Sequence, residues 1–246
     1  MLFFQIFKHK SVLVESWEAK IMEKTPLKFI CLFCCCMVSF SIRAQVIEDA
    51  NGRPMLERQY TDVQGSPYFS DLWQKGSVKM GNGKSYKGVE LKYDLVSDEV
   101  FFKNAKGDML GFVDPVQEFK LLPADGTDAP ALSFRNGYKP IADATSKTFY
   151  QILSDGQTPF AKRLSKKMME STPYSSATIV KTFGEVSSYY VIKNGQPVKI
   201  KKDKKALFAA LGDYSAELEE FIRNKKLNLK SDTDFIVLMN YYNSLK

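Results

Sequence analysis

The chain has only four cysteines and one histidine, and all five lie within its first 36 residues. From Gln45 onward there is neither a thiol nor an imidazole. For that part of the chain, this absence excludes disulfide scaffolding, zinc sites with nitrogen or sulfur ligands, and catalytic sites built on histidine. No cofactor and no metal is therefore expected.

The cysteines belong to an apolar run that has the form of an export signal. Residues 22–44 combine a positive start at Lys24 and Lys28, an apolar stretch and a small-residue cleavage site before Gln45. The apolar stretch is about 12 residues long, whereas a membrane-spanning helix needs roughly 20. We therefore expect cleavage after Ala44, export to the periplasm or the extracellular space, and no permanent membrane span. Residues 1–21 do not fit a signal, so translation is expected to start at Met22, which makes residues 1–21 an upstream extension.

The charge of the chain after residue 44 is mild. The first 44 residues carry six basic and three acidic side chains, so the 35 basic and 28 acidic residues of the whole chain leave 29 and 25, a net of +4. Nucleic-acid-binding domains show a much stronger basic bias. No nucleic-acid partner is predicted.

Residues 65–135 alternate between apolar and polar in short segments that are separated by turn residues. Asn82-Gly83 predicts a tight hairpin turn, and residues 89–95 place every second side chain on one face. Five or six such segments predict an antiparallel meander. Residues 45–64, which are polar and aperiodic, predict a partly ordered arm.

Residues 145–202 predict a second β region that contains a weak internal repeat. Two aromatic residues and an isoleucine lead into an Asp-Gly turn and a proline at 149–159, and into an Asn-Gly turn and a proline at 189–197. This repetition predicts two hairpins that pair in one antiparallel sheet.

The apolar period changes from two to 3.6 after Lys205. Asp203 and Gly212 have the residue types that begin and end a helix, a second helix is predicted from Asp213 or Ser215, and a third after Ser231. Residues 203–246 therefore predict a bundle of about three helices that packs on the sheet. The predicted fold class is α+β, with antiparallel meander and hairpin sheets first and the helical bundle last.

Three segments carry a resemblance to known proteins. Residues 65–69 (GSPYF), 87–95 (KGVELKYDL) and 234–245 (DFIVLMNYYNSL) resemble uncharacterised exported proteins of Bacteroidetes-type bacteria. The resemblance covers most of the chain from Gly65, and its motifs are turns, strand faces and a helix stripe. It implies export and a fold but no activity.

Two surface features are candidates for binding. Exposed aromatic rings could stack on a sugar or line a peptide groove, although packing in the core is the stronger interpretation. A run of lysines could meet an acidic glycan or an anionic envelope surface, although protection of a sheet edge is favoured. The candidate aromatic face is Tyr68, Trp73, Tyr150 and Tyr190, and the candidate basic patch is Lys199, Lys201, Lys202, Lys204 and Lys205.

Catalysis could rest on carboxylates alone. Asp94, Asp98 and Glu99 cluster at one turn, but a turn-forming role is the simpler interpretation. Ser165-Lys166 has the residue types of a Ser-Lys dyad, although a solvated strand end is favoured. The residues between Asp125 and Asp128 lack the spacing of a calcium loop and predict a polar turn.

The sequence thus favours an exported, non-enzymatic, β-rich binding or interaction module of the cell envelope. Its partner would be an envelope protein or a glycan. The alternative is a histidine-free, carboxylate-dependent hydrolase that acts on glycan or peptide.

Overall fold

The computed structural model of the chain describes residues 53–54, 60, 62–172 and 178–246. The predicted upstream extension and signal peptide, and most of the predicted arm, lie outside these residues. Within the described residues, strands come first and helices last, which confirms the α+β class. The strands are β1 (Arg53–Pro54), β2 (Val63–Gln64), β3 (Gln74–Met80), β4 (Ser85–Asp94), β5 (Glu99–Lys103), β6 (Met109–Gly111), β7 (Val116–Leu121), β8 (Leu132–Arg135), β9 (Tyr150–Ser154), β10 (Phe160–Ser171), β11 (Val180–Lys193) and β12 (Gln196–Ile200), and the helices are α1 (Lys204–Leu211), α2 (Ser215–Lys225) and α3 (Asp232–Ser244).

One sheet contains all of these strands. Their order in space is β1-β6-β5-β4-β3-β7-β8-β9-β10-β11-β12, and β2 pairs with β11 in parallel. Strands β3 to β6 follow one another as a meander joined by tight turns, the first of which is the predicted Asn82-Gly83 turn. The meander does not continue to β7, because β7 returns to the other side of β3.

The return of β7 depends on a glycine. A Cβ atom placed on Gly76 of β3 would lie 2.0 Å from the carbonyl oxygen of Lys120 and 2.9 Å from Cδ1 of Leu91. The β3–β4 register also shifts between Gly76 and Ser77, which marks a bulge at this point. Glycine is therefore required where β3 and β7 approach one another.

The inner face of β3 to β8 encloses the first apolar core, which we call the meander core. The alternation of β4 places Val89, Leu91 and Tyr93 in this core, as the sequence predicts. The rings of Phe119 and Phe134, on neighbouring strands, stack with their centroids 4.6 Å apart. Such pairs add to the stabilisation that comes from burying the rings.

The two copies of the internal repeat lie in the β9–β10 and β11–β12 hairpins, and pairing of β10 with β11 joins these hairpins. This agrees with the prediction that both hairpins share one antiparallel sheet. The two faces of this part of the sheet are both covered. The helices pack on one face, and residues 138–144 pack on the other.

All three helices begin where the sequence indicates, and α1 also ends at the predicted Gly212. The side chain of Asp203 accepts a hydrogen bond from the Ala206 amide, and Gly212 ends α1 in the left-handed conformation. The Ser231 side chain caps α3 through the Asp234 amide. Helix α3 buries Phe235, Leu238, Met239 and Tyr242 against the sheet.

Helix α3 is also hydrogen-bonded to the β9–β10 turn. The side chain of Asn243 accepts from the Thr158 amide (2.9 Å) and donates to the Thr158 carbonyl (3.1 Å). The Ser154 hydroxyl donates to Asn240 Oδ1 at 2.7 Å. Side chains of α3 therefore supply hydrogen-bond partners to this turn, as a neighbouring strand would.

The far half of β10 packs back onto the end of β4. The Lys166 amide donates to the Leu95 carbonyl at 2.9 Å, and its ammonium donates to the carbonyls of Ser66 (2.8 Å) and Tyr68 (2.7 Å). Lys166 therefore holds three backbone segments together. This differs from the predicted solvated strand end, because the lysine side chain turns toward main-chain carbonyls that need donors.

Candidate functional site

The structure separates the four residues of the predicted aromatic face. Tyr150 and Tyr190 are 1% and 0% exposed, and their rings meet edge to face at 5.2 Å. Residues 138–144 cover them. They therefore belong to the core and cannot contact a ligand at the surface.

Tyr68 and Trp73 remain half-exposed, and a lysine lies between their rings. The Lys92 ammonium is 4.5 Å from the centroid of Tyr68 and 5.4 Å from that of Trp73. The Lys103 ammonium is 5.6 Å from the Trp73 centroid. These distances are in the range of cation–π attraction. We call these four residues the Trp73 surface.

Strand pairing explains why the two lysines share this surface. Lys92 on β4 lies opposite Phe101 on β5, and Lys103 is two residues beyond Phe101. The two lysines are therefore diagonal neighbours on the outer face of the sheet. Beneath them Phe101 is buried, and beside Trp73 the side chain of Leu72 is 64% exposed.

The charges of this surface are only partly neutralised. Lys103 lies 3.6 Å from Glu90, whereas Lys92 forms no ion pair with any described residue. The aromatic rings hold the Lys92 ammonium in place without cancelling its charge. The surface can therefore offer a positive charge next to an apolar ring.

The predicted basic patch lies at the start of the helical region, and part of it is paired. Lys202 donates to Asp232 at 2.9 Å, and Lys204 lies 2.9 Å from Glu219. Lys199, Lys201 and Lys205 are exposed. Strand β12 ends the order of described strands, so Lys199, the one lysine in this strand, lies where edge protection is needed.

Asp94 is a structural carboxylate. It is fully buried, and its Oδ1 accepts hydrogen bonds from the amides of Val96 (2.7 Å) and Ser97 (3.1 Å). Its Oδ2 accepts from the Tyr60 hydroxyl at 2.9 Å. Both oxygens are thus engaged in shaping the β4–β5 turn.

Asp98, in the same turn, is different, because it lines two clefts. Its Oδ1 accepts from the Tyr93 hydroxyl at 2.6 Å and from the Phe149 amide at 3.3 Å. Burial raises the pKa of Asp98, and these hydrogen bonds offset part of that effect. Burial and the neighbouring Asp98 also raise the pKa of Tyr93 well above its usual value. The turn is predictable from the sequence, but the burial of Asp98 is not, because residues 148–149, some 50 positions away, cover it.

The larger of the two clefts, about 550 Å³, lies between the β4–β5 turn, residues 141–148 and β10. Its charged lining residues are Asp98, Glu99, Asp143, Lys147 and Arg163. Arg163 lies 3.1 Å from Asp143 across the cleft. The second cleft, of about 320 Å³, shares Asp98, Glu99 and Lys147 with the first.

The other residues considered for catalysis or metal binding have structural positions. The Lys166 ammonium is bonded to carbonyl oxygens, so it is not placed as a base for Ser165. Asp125 accepts from the amide and the hydroxyl of Thr127, as a polar turn does. Within the described part of the chain, no group of three or more His, Cys, Asp or Glu side chains could hold a metal ion.

Comparisons with known proteins identify no relative. No protein-family model matches the chain, and searches of curated proteins and of solved structures give no match either. No helix formed by the described residues is long and apolar enough to cross a membrane.

Proposed function

We propose that the chain is an exported, non-enzymatic binding module of the cell envelope, and that it binds an acidic glycan through the Trp73 surface. One observation carries the proposal: the Lys92 ammonium lies between two half-exposed aromatic rings and has no described carboxylate partner. Export is inferred from the leader sequence, and it would bring the module to a compartment where such glycans occur.

The chemistry of an acidic sugar complements this surface. A sugar ring presents apolar C–H groups, which pack against an indole or an exposed leucine, and its carboxylate pairs with an ammonium. Pairing of β4 with β5 and the contacts with the aromatic rings hold Lys92 and Lys103 in position before a ligand binds. A fixed surface loses less conformational entropy when it binds, which favours affinity.

The distribution of tryptophan gives a direct assay. The chain has two tryptophans, Trp17 and Trp73. In the full chain carrying Trp17→Phe, emission therefore reports on Trp73 alone. The probes are a trimer of galacturonic acid and, as a neutral control, a trimer of galactose.

We expect the acidic trimer to change Trp73 emission in a saturable way and the neutral trimer to bind at least about 5-fold more weakly. Lys92→Gln should lower the affinity for the acidic trimer about 5- to 10-fold, as loss of roughly 1 kcal/mol predicts. The matched control is Lys199→Gln, which changes an exposed lysine on another strand. Equal binding of both trimers, or an effect of Lys199→Gln as large as that of Lys92→Gln, would contradict the proposal.

A second candidate function is a carboxylate-dependent hydrolase. The observation that favours it is Asp98, a carboxyl whose pKa burial raises and which faces two clefts. Such a carboxyl can serve as a general acid. Release of reducing ends from glycan probes, lost in Asp98→Asn, would support the hydrolase and count against a purely binding role.

A further inference from the structure

We infer that the cleft beside Arg163 is a second binding site, distinct from the Trp73 surface, for a small molecule that carries a carboxylate together with an amine or hydroxyl donor. The cleft is about 550 Å³, which is large enough for a ligand of a few to a dozen non-hydrogen atoms.

Arg163 supplies the group that would recognise the carboxylate. Its side chain is 19% exposed, and among the described residues its only ion-pair partner is Asp143. One guanidinium nitrogen, Nη1, makes that contact at 3.1 Å. A guanidinium has five N–H donors in a planar fork that fits the two oxygens of a carboxylate. No described residue accepts a hydrogen bond from the other guanidinium nitrogens of Arg163, which lines the cleft.

Asp143 is a partner that a ligand can replace. Its side chain is 56% exposed, and a single contact between such groups contributes little to stability. A ligand carboxylate that pairs with two guanidinium nitrogens would make a stronger interaction than Asp143 does. Lys147, on the same rim, adds a second positive charge.

An independent observation in the same cleft comes from Ser97. Its hydroxyl oxygen is buried, and no described residue forms a hydrogen bond with it. A buried hydroxyl without a partner is unfavourable. Because this oxygen is buried, a ligand oxygen or nitrogen in the cleft would supply that partner only after the Ser97 side chain rotates toward the cleft.

The acidic residues of the cleft limit what the ligand can be. Asp98 and Glu99 line the same cleft and would repel a simple anion. A ligand whose other end carries an amine or hydroxyl would instead donate to Asp98. The cleft therefore fits an amino acid or a hydroxy acid better than a plain carboxylate or a phosphate. Burial also raises the pKa of Asp98.

Calorimetric titration and thermal unfolding of the full chain test this site with three probes. Serine carries both groups, serinamide lacks the carboxylate, and propionate lacks the donors. We expect serine to bind and raise the melting temperature, and the other two to bind at least 10-fold more weakly. No serine binding at 50 mM, or serinamide binding as tightly as serine, would overturn the inference.

Two variants separate a binding role of the cleft from a structural one. Arg163→Lys should weaken serine binding at least 10-fold, whereas Arg223→Lys, at an exposed position on α2, should leave it unchanged. Asp143→Asn should strengthen serine binding several-fold, because the ligand then no longer competes with a carboxylate for Arg163. Weaker binding in Asp143→Asn would count against the site even if Arg163→Lys fails to fold. Because these probes do not involve the Trp73 surface, failure here leaves the proposed glycan binding untouched.

Discussion

Replacement of Gly76 by alanine tests the reason why β7 can pair with β3. The new Cβ would lie 2.0 Å from the Lys120 carbonyl oxygen, and contacts of this kind below 3.0 Å are essentially never seen, so the strands must separate by about 1 Å or more. Overpacking of a core costs roughly 1–3 kcal/mol, and about two ladder hydrogen bonds would weaken at roughly 1 kcal/mol each. We therefore expect Gly76→Ala to lower the free energy of unfolding by about 3–5 kcal/mol.

The assay is urea unfolding followed by circular dichroism. With a urea dependence of roughly 2–3 kcal/mol per molar, the midpoint should fall by about 1–2 M. The matched control is Gly81→Ala, whose Cβ would meet its nearest neighbour, the Pro115 carbonyl oxygen, at an ordinary 3.6 Å. If both variants unfold within about 1 kcal/mol of each other, the close approach of β3 and β7 does not have the role assigned to it.

Two further predictions concern Asp98 and Lys166. Burial raises the pKa of Asp98 in the folded state above its unfolded value of about 3.9. As the pH rises through this range, ionisation of Asp98 therefore costs the folded state more than the unfolded state, and stability falls. Asp98→Asn keeps an acceptor for Tyr93 but cannot ionise. In urea titrations, its stability relative to the unmodified protein should therefore improve as the pH rises from 3.5 to 7. A stability difference that does not change with pH would refute this. Lys166→Met removes two charge-assisted hydrogen bonds to carbonyls and should lower the free energy of unfolding by about 2–4 kcal/mol. The matched control, Lys167→Met at the neighbouring exposed lysine, should change the free energy of unfolding by less than about 0.5 kcal/mol. Equal effects of the two variants in thermal or urea unfolding would show that Lys166 does not hold these backbone segments together.

The parts of the fold that the sequence predicts are those with local signals. Asp203, Gly212 and Ser231 act through hydrogen bonds within a few residues, so their roles follow from residue type and spacing. The alternation in residues 89–95 likewise reports which side chains enter the core. The return of β7 to β3 is not local, and nothing in the alternation distinguishes it from one more step of a meander.

The candidate sites were less predictable, for the same reason. The sequence makes Trp73 a candidate for an exposed aromatic face, whereas Lys92 has the pattern of any polar residue in an alternating strand. Its place beside Trp73 becomes visible only when the β4–β5 register is known. Tyr150 and Tyr190 are candidates for a surface face in the sequence, although core packing is the favoured interpretation there, and the structure places both in the core. The sequence does not reveal this cover, because it comes from residues 138–144, which have no strand or helix pattern. Arg163 on β10 and Ser97 in the β4–β5 turn line the same cleft, although they are far apart in sequence.

The bonds between α3 and the β9–β10 turn have a consequence for the order of folding. The hydrogen bonds of Asn240 and Asn243 span 86 and 85 residues, and those of the Lys166 ammonium span 100 and 98. Contacts this distant in sequence slow folding, because a long loop must close before they form. Helix α3 follows every described strand in the sequence, so the core under the helices cannot close before residues 232–244 are available to pack on it.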